Sequence, residues 1–271
     1  MSERLPQEQF RYSADRASLG AELAARFQEL DFDQGAQEFV AHSREMRHGR
    51  VLTWTQRLTR LFVSDFDANG WLGMYPMHLA SSEQWRTLLG DEPIASLLDV
   101  GAGSGAVTRA LLPLCRDVLT TETSRPMARR LARSGICCRR VDLALEPLGE
   151  ERRFDLVACL NVLDRASYPK QLLRRACELL LPQGRLVVAL ALPYRPFFYD
   201  GAATPEPLER LSCSSLSWES AVRELATREL APLGLEIVTL SRLPYLSFGD
   251  AERELYALDD AILVARHAAP G

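Results

Sequence analysis

The chain has 271 residues, of which 47% are hydrophobic and 25% are charged, a composition typical of a globular protein with a sizeable core. Its formal net charge of -4 at pH 7 and its pI of about 5.7 provide no positive field that would attract nucleic acid or an anionic membrane. We therefore expect no nucleic-acid partner. We also expect no membrane span and a cytoplasmic location, because the opening residues are charged where a secretory signal needs an apolar run.

The first 90 residues predict a helical accessory cap. The apolar residues that recur there with helical spacing are Leu19, Leu23, Phe27, Leu30, Leu58, Leu61 and Phe62. Residues 91–271 have a different pattern and form the second predicted unit. In that unit, short apolar strands alternate with helices.

The alternating strands and helices predict an α/β fold. Strands are predicted at 97–100, 117–121, 136–141, 154–160, 184–190, 235–241 and 261–265, and helices at 106–114, 126–133, 169–180 and 218–230. Such alternation favours a Rossmann-like, mostly parallel seven-stranded sheet with helices on both faces. Ligands of this architecture bind at the carboxyl ends of the strands.

Residues 193–217 interrupt the alternation with four prolines and a cluster of aromatic residues. A long irregular segment in a compact domain is often functional, so we interpret it as an insertion over the site, with an ordinary surface loop as the alternative. The six cysteines lie mostly within apolar runs and lack the spacing of a metal site. We therefore expect free thiols and no bound metal.

A glycine-rich turn follows the first strand of this unit. Gly101, Gly103 and Gly105 form a GxGxG pattern directly after an apolar strand, which allows a ligand to approach the backbone closely. Dinucleotide sites use GxGxxG to seat a pyrophosphate, and Ala106 stands here instead. Asp99 precedes the turn, and its carboxylate suits a cofactor with an ammonium and a sulfonium group and no phosphate. The turn thus favours S-adenosyl-L-methionine over a nicotinamide cofactor.

Acidic residues also stand at the ends of the next two strands. Glu122 follows the second strand, where a carboxylate can accept hydrogen bonds from both hydroxyls of a ribose. Asp142 follows the third strand and is placed to receive an adenine amino group. The alternative for each is an incidental surface acid, which is a stronger alternative for Asp142 than for Glu122.

The fourth strand runs directly into the polar residues Asn161 and Asp164. In this fold the residues after the fourth strand face the transferable methyl group. Asn161 and Asp164 are therefore the polar groups that we place nearest the chemistry. Other interpretations of Asp164 are a helix N-cap or an ion-pair partner of Arg165.

Several runs resemble one narrow family. The runs CLNVLDR (159–165), RLPYL (242–246) and YALDDA (256–261), together with LLDVGAGSGAVT and TETS, are similar to the DREV-type methyltransferase-like family, the protein-histidine N-pros-methyltransferases. The similarity extends from about residue 57 to residue 265. The chain departs from the family at Ser104, where an acid is frequent, and in its N-terminal segment.

The resemblance implies S-adenosyl-L-methionine as cofactor, S-adenosyl-L-homocysteine as product, and transfer to a histidine ring nitrogen in His-x-His motifs of partner proteins. It implies cofactor contacts from Glu122, Asn161 and Tyr245. Asp164 and Tyr256 would hold the target imidazole. Without the resemblance, both tyrosines would be interpreted as packing residues.

The chemistry of imidazole agrees with this assignment. The ring is a nucleophile only when neutral, and only through the nitrogen that carries no proton. A carboxylate at Asp164 that accepts the Nε2 proton would leave the Nδ1 lone pair facing the methyl group. Two alternatives stay open: a small-molecule N- or O-methyltransferase of the same fold, and a catalytically silent scaffold. We expect a monomer.

Overall fold

The computed structural model describes residues 10–45, 76–149, 151–196, 206–248 and 255–269. Its helices, numbered in chain order, are α1 (Arg16–Leu19), α2 (Ala21–Arg26), α3 (Gln34–Glu45), α4 (Ser82–Leu89), α5 (Arg125–Arg133), α6 (Pro169–Glu178) and α7 (Trp218–Glu224). Its strands are β1 (Met77–His78), β2 (Ile94–Val100), β3 (Cys115–Thr121), β4 (Cys137–Arg139), β5 (Phe154–Leu160), β6 (Leu180–Ala191), β7 (Leu235–Phe248) and β8 (Leu255–His267). Short 3-10 turns lie at Thr108–Ala110, Leu112–Leu114 and Ala231–Leu233, and a π-helical turn lies at Leu225–Leu230.

Within the described residues, the strands form one eight-stranded sheet in the order β1-β7-β8-β6-β5-β2-β3-β4. Five neighbouring strands of this sheet, β6, β5, β2, β3 and β4, run parallel to one another. β8 is antiparallel to β6 and β7, and β1 is antiparallel to β7. The Rossmann-like α/β prediction is confirmed. The predicted number of seven strands is wrong by one, because the two residues of β1 are too few to form a recognisable alternation.

Hydrophobic side chains cover both faces of the sheet. One face packs against Leu19 of α1, Leu172 of α6 and Trp218 of α7. The opposite face packs against Trp85 and Leu88 of α4. Because β2 and β5 are covered on both sides, they read as nearly continuous apolar runs, which made them easy to predict.

The order of the strands indicates where in the sheet a ligand site is expected. β2 pairs with β3 on one side and with β5 on the other, so the chain reverses its direction of travel across the sheet at β2. In open α/β sheets, ligands bind at the carboxyl ends of the strands beside such a reversal. β8 reaches the same edge from the opposite direction, since Asp260 pairs with Ala191 at the end of β6.

The described part of the N-terminal segment is tied to the sheet through Arg242. The guanidinium of this buried residue donates two hydrogen bonds to the carboxylate of Asp259, at 2.8 and 2.6 Å, and a third to the backbone oxygen of Ser13 at 3.1 Å. It also lies 4.8 Å from the ring centroid of Trp218. The division of the chain at residue 90 stays a prediction.

Several predicted elements differ from the observed ones. The predicted helix at 106–114 consists of two 3-10 turns, since Pro113 has no backbone N–H to continue an α-helix. The predicted strand at 136–141 is shorter in the structure, and β7 and β8 are longer than predicted. The predicted helical residues Leu58, Leu61 and Phe62 and the aromatic residues 197–199 lie outside the described residues.

None of the helices in the described ranges is long and apolar enough to cross a membrane. All six cysteines carry free thiols. In the same part of the chain, no three His, Cys, Asp or Glu side chains come together in a way that could hold a metal ion.

Candidate active site

The predicted site residues lie along one edge of the sheet. Asp99 is the penultimate residue of β2 and leads into the glycine-rich turn. Glu122 directly follows β3, and Asn161 and Asp164 follow β5. Because these strands are parallel and adjacent, their carboxyl ends bring the acidic and amide side chains to one place.

The glycine-rich turn requires glycine for two different reasons. Gly101 and Gly105 have φ angles of +70° and +76°, in the left-handed region that favours glycine. A Cβ on Gly101 would collide with the side chain of Val162, and one on Gly105 would lie 2.7 Å from Leu131 Cδ2. Among the described residues, apart from the chain neighbours of Gly103, no atom lies within 4 Å of the position that a Cβ on Gly103 would occupy. The turn is thus packed at its two ends and bordered by open space at its middle.

Glu122 ties this turn to β3. One of its carboxyl oxygens accepts the backbone N–H of Gly103 and the other accepts that of Ser124, both at 2.8 Å. Only 3% of the residue is exposed. Burial raises the pKa of the carboxyl group, and the backbone hydrogen bonds oppose that change. Since each carboxylate oxygen has two acceptor positions, Glu122 keeps acceptor capacity for a ligand.

Asp99 lies just before the glycine-rich turn and is held by a hydrogen bond. Its carboxyl group is buried and accepts a hydrogen bond from the Thr108 hydroxyl at 2.6 Å. Burial raises the pKa of Asp99 to about 7; the hydrogen bond from Thr108 opposes the rise and the charge of Glu122 adds to it. The predicted contact between Asp99 and the cofactor stays a prediction.

Asn161 connects the end of β5 with β6 and β8. Its φ of +53° is the only positive value among the described non-glycine residues, and asparagine is one of the few residues that tolerate this region. Its backbone N–H donates to the carbonyl of Ala189 at 2.9 Å. Its side-chain Nδ2 donates to Asp260 Oδ2. The amide oxygen is buried and has no hydrogen-bond partner in the part of the chain that the structure describes. Unusual backbone conformations of this kind cluster at functional sites.

Only one of the two carboxyl oxygens of Asp164 has a hydrogen-bond partner among the described residues. Its Oδ2 accepts a hydrogen bond from Arg165 Nε at 3.1 Å, whereas its Oδ1 is buried without one. Burial raises the pKa of Asp164, and the guanidinium of Arg165 opposes the rise. The ion pair with Arg165, one of the alternatives derived from the sequence, is therefore present. It uses only one of the two carboxyl oxygens.

The two tyrosines occupy different positions near this edge. Tyr245 of β7 is buried, and its hydroxyl donates to Met77 Sδ at 2.6 Å. Burial raises the pKa of that hydroxyl, and the charge of Asp260 adds to the effect. Tyr256 of β8 is half-buried and pairs with Ser247, beyond the end of β6. The contacts predicted for Tyr245 and Tyr256 stay predictions.

Asp142 has a local role in the structure. Its carboxylate accepts the backbone N–H of Ala144 at 3.0 Å, and its carbonyl accepts the N–H groups of Leu145 and Glu146. These contacts close a turn after β4. Neither these local contacts nor the turn was predicted from the sequence, and the adenine contact stays a prediction.

Asp260 is a residue to which the sequence pattern assigned no role. It is fully buried, its Oδ2 accepts a hydrogen bond from Asn161 Nδ2, and its Oδ1 has no partner within the described ranges. Burial raises its pKa well above the usual range, and the hydrogen bond from Asn161 opposes the rise. The available signal was an acid directly before the apolar run Ala261–Val264, since buried acids are rare without a specific partner.

The site fits a cationic ligand better than a phosphate. Its buried carboxyl groups are Asp99, Glu122, Asp164 and Asp260. S-adenosyl-L-methionine carries an ammonium and a sulfonium group, and carboxylates attract both. The open space at Gly103 and the unpartnered oxygens of Asn161 and Asp164 are features that such a ligand could use.

Fold and site together define the class of S-adenosyl-L-methionine-dependent methyltransferases. Within that class, the chain belongs to the DREV methyltransferase family, whose model matches residues 11–267. This confirms the family that the sequence motifs indicated. It also supports the expected cofactor, S-adenosyl-L-methionine.

The chain is also similar to several solved structures. The N-methyltransferase NodS from Bradyrhizobium japonicum WM9, in complex with S-adenosyl-L-homocysteine, is 17% identical with a TM-score of 0.44, covering 69% of this chain and 85% of NodS. A putative methyltransferase from Bacillus halodurans C-125 is 14% identical with a TM-score of 0.47, covering 68% and 97%. The DhpI complex with S-adenosyl-L-homocysteine is 16% identical with a TM-score of 0.48, covering 70% and 84%.

Proposed function

We propose that the protein is a protein-histidine N-pros-methyltransferase, which transfers a methyl group from S-adenosyl-L-methionine to Nδ1 of a histidine in a His-x-His motif of a partner protein. The observation that carries this proposal is the buried carboxyl group of Asp164: Arg165 holds one of its oxygens, and the other has no partner among the residues that the structure describes. The free oxygen is an acceptor for the N–H of an imidazole ring.

The proposed cofactor contacts use the edge of the sheet. The backbone of Gly101, Gly103 and Gly105 borders the cofactor, Glu122 accepts the ribose hydroxyls, and Asp99 provides a carboxylate for the positively charged end of the cofactor. Further contacts come from Asn161, from Tyr245 and, at the adenine, from Asp142. When bound, S-adenosyl-L-methionine supplies an electrophilic methyl group on a sulfonium.

Asp164 would act on the substrate in two ways. By accepting a hydrogen bond from Nε2–H it selects the tautomer whose Nδ1 lone pair is free, and it fixes the direction of that lone pair. Its negative charge stabilises the positive charge that develops on the ring during transfer. Positioned acid-base assistance of this kind contributes about 10²- to 10⁴-fold in rate. Tyr256 is proposed to hold the other side of the ring.

Three further properties belong to this proposal. The protein would act as a monomer in the cytoplasm. Residues 1–90 would serve as a helical cap over the methyltransferase domain at 91–271. Peptides with a small residue between the two histidines would be the preferred substrates.

The proposal is tested by incubating the protein with methyl-labelled S-adenosyl-L-methionine and short peptides that contain His-Ala-His. Two control peptides carry alanine in place of either histidine. Mass spectrometry counts the methyl groups and NMR assigns them to Nδ1 or Nε2. Methylation at Nδ1 that depends on a histidine of the motif is the expected result. Methylation at Nε2 only, or of small molecules but no peptide, would contradict the proposal.

The Asp164→Asn variant tests the residue that carries the proposal. Its transfer rate should fall about 10²- to 10⁴-fold, while its affinity for S-adenosyl-L-homocysteine stays within a few-fold. Asp155→Asn is the matched control, because Asp155 lies at the opposite end of the same strand and accepts the Ser96 hydroxyl. Equal loss of transfer and of cofactor affinity in Asp164→Asn would show that Asp164 does not act on the ring.

A further inference from the structure

Asp260 is the buried acid of the site for which the proposed function has no task. It lies on β8, directly opposite Ala191 of β6 and Leu243 of β7, with no exposed surface. Its one described hydrogen bond runs from Asn161 Nδ2 to Oδ2. Burying an acid in an apolar strand reduces the stability of the fold unless the carboxyl group is hydrogen-bonded.

The contact decides which end of the Asn161 amide is available to a ligand. The amide has two different ends, a donor at Nδ2 and an acceptor at Oδ1. The backbone of Asn161 is fixed on β6 by its hydrogen bond to Ala189, so only the side chain can exchange its two ends. Asp260 occupies the donor end, and no described residue is hydrogen-bonded to the acceptor end.

We propose that Asp260 is a positioning residue, which holds the amide nitrogen of Asn161 and thereby presents the amide oxygen to the cofactor. The inference deepens the proposed function and rests on its contact between Asn161 and the cofactor. An acceptor is the end that suits a ligand with an ammonium group. If the amide were reversed, its NH₂ group would face that cation.

A neutral carboxyl group is sufficient for this task. Burial raises the pKa of Asp260 well above its usual range; the bond from Asn161 opposes the rise, the charges of Asp164 and Asp259 add to it, and Arg165 opposes it. The carbonyl oxygen of a protonated carboxyl group still accepts the Asn161 N–H. The substitution Asp260→Asn keeps such an acceptor, whereas Asp260→Leu, of similar size, removes it.

The test is isothermal titration of S-adenosyl-L-homocysteine into the wild type and three variants. Asp260→Leu should weaken binding about tenfold or more, and Asp260→Asn should restore it to within about threefold of the wild type. The control Asp259→Asn, on the opposite face of the same strand, should keep its affinity but lose thermal stability, because Asp259 pairs with Arg242. In the transfer assay, Asp260→Leu should raise the KM for S-adenosyl-L-methionine and leave the KM for the peptide unchanged.

Equal affinity in the wild type and Asp260→Leu would overturn the inference. So would equal losses in Asp260→Leu and Asp260→Asn, since the charge and not the amide orientation would then matter. If Asp260→Leu does not fold, the exchange Asn161→Asp with Asp260→Asn must restore the binding lost in Asn161→Asp alone, and failure to restore it overturns the inference. A wild type that binds the cofactor but methylates no histidine contradicts the proposed function only.

Discussion

Replacing Glu122 with alanine removes the best-defined contact of the candidate cofactor site. The variant loses the acceptors of the Gly103 and Ser124 N–H groups, together with any acceptor for a ribose. Hydrogen bonds to a charged group contribute about 1.5–3 kcal/mol, so the Kd for S-adenosyl-L-homocysteine should rise about 10- to 150-fold. The Gly103 N–H left without an acceptor should lower the free energy of unfolding by about 1–3 kcal/mol.

Calorimetric titration measures the affinity, and urea denaturation measures the stability. The control is Asp117→Ala, at the exposed beginning of the same strand, where Asp117 pairs with Arg152 on the surface. A surface ion pair is worth about 1 kcal/mol or less, and this variant should bind the cofactor product like the wild type. An unchanged affinity in Glu122→Ala would refute the placement of the ribose.

Three further predictions concern the turn and the fold. Burial raises the pKa of Asp99 from 3.8 to about 7, so the folded protein keeps a proton that the unfolded chain loses. The free energy of unfolding should therefore fall as pH rises through this interval. Urea denaturation of Asp99→Asn should show no such decline, and a decline equal to that of the wild type would contradict the assignment. Gly101→Ala should lower the free energy of unfolding by about 1–2 kcal/mol or more because of the left-handed backbone alone. Adding Val162→Ala should recover part of that loss, because it removes the methyl groups that the new Cβ meets. No recovery would mean that backbone strain accounts for the whole loss. Arg242→Met removes the ion-pair partner of Asp259 and should lower the free energy of unfolding, measured by urea denaturation, by about 3 kcal/mol. A decrease of less than about 1 kcal/mol would mean that the ion pair contributes little.

The parts of the fold that the sequence predicted are those with a strong local pattern. β2 and β5 are apolar runs covered on both faces, and each ends in a distinctive turn. Because parallel strands bring their carboxyl ends to one edge, the positions of Glu122 after β3 and of Asn161 and Asp164 after β5 predicted that they share this edge. That part of the site follows from topology and needs no knowledge of individual contacts.

The remaining parts depend on contacts between distant segments. Asn161 and Asp260 are separated by 99 residues and meet across β6, and no local periodicity encodes which strands become neighbours. The strand β1 was missed because its two residues carry no pattern and pair with β7 only after folding. The contacts of Arg242 were not predictable from the sequence either, since its partners Ser13 and Asp259 lie far apart in the chain.

The most direct measurement is a crystal structure of the protein with S-adenosyl-L-homocysteine and a His-Ala-His peptide. The account predicts that a carboxyl oxygen of Asp164 lies within about 3.2 Å of the ring Nε2, with Nδ1 facing the sulfur atom. A complex in which the ring binds elsewhere, or in which both oxygens of Asp164 are turned away from it, would contradict the central claim.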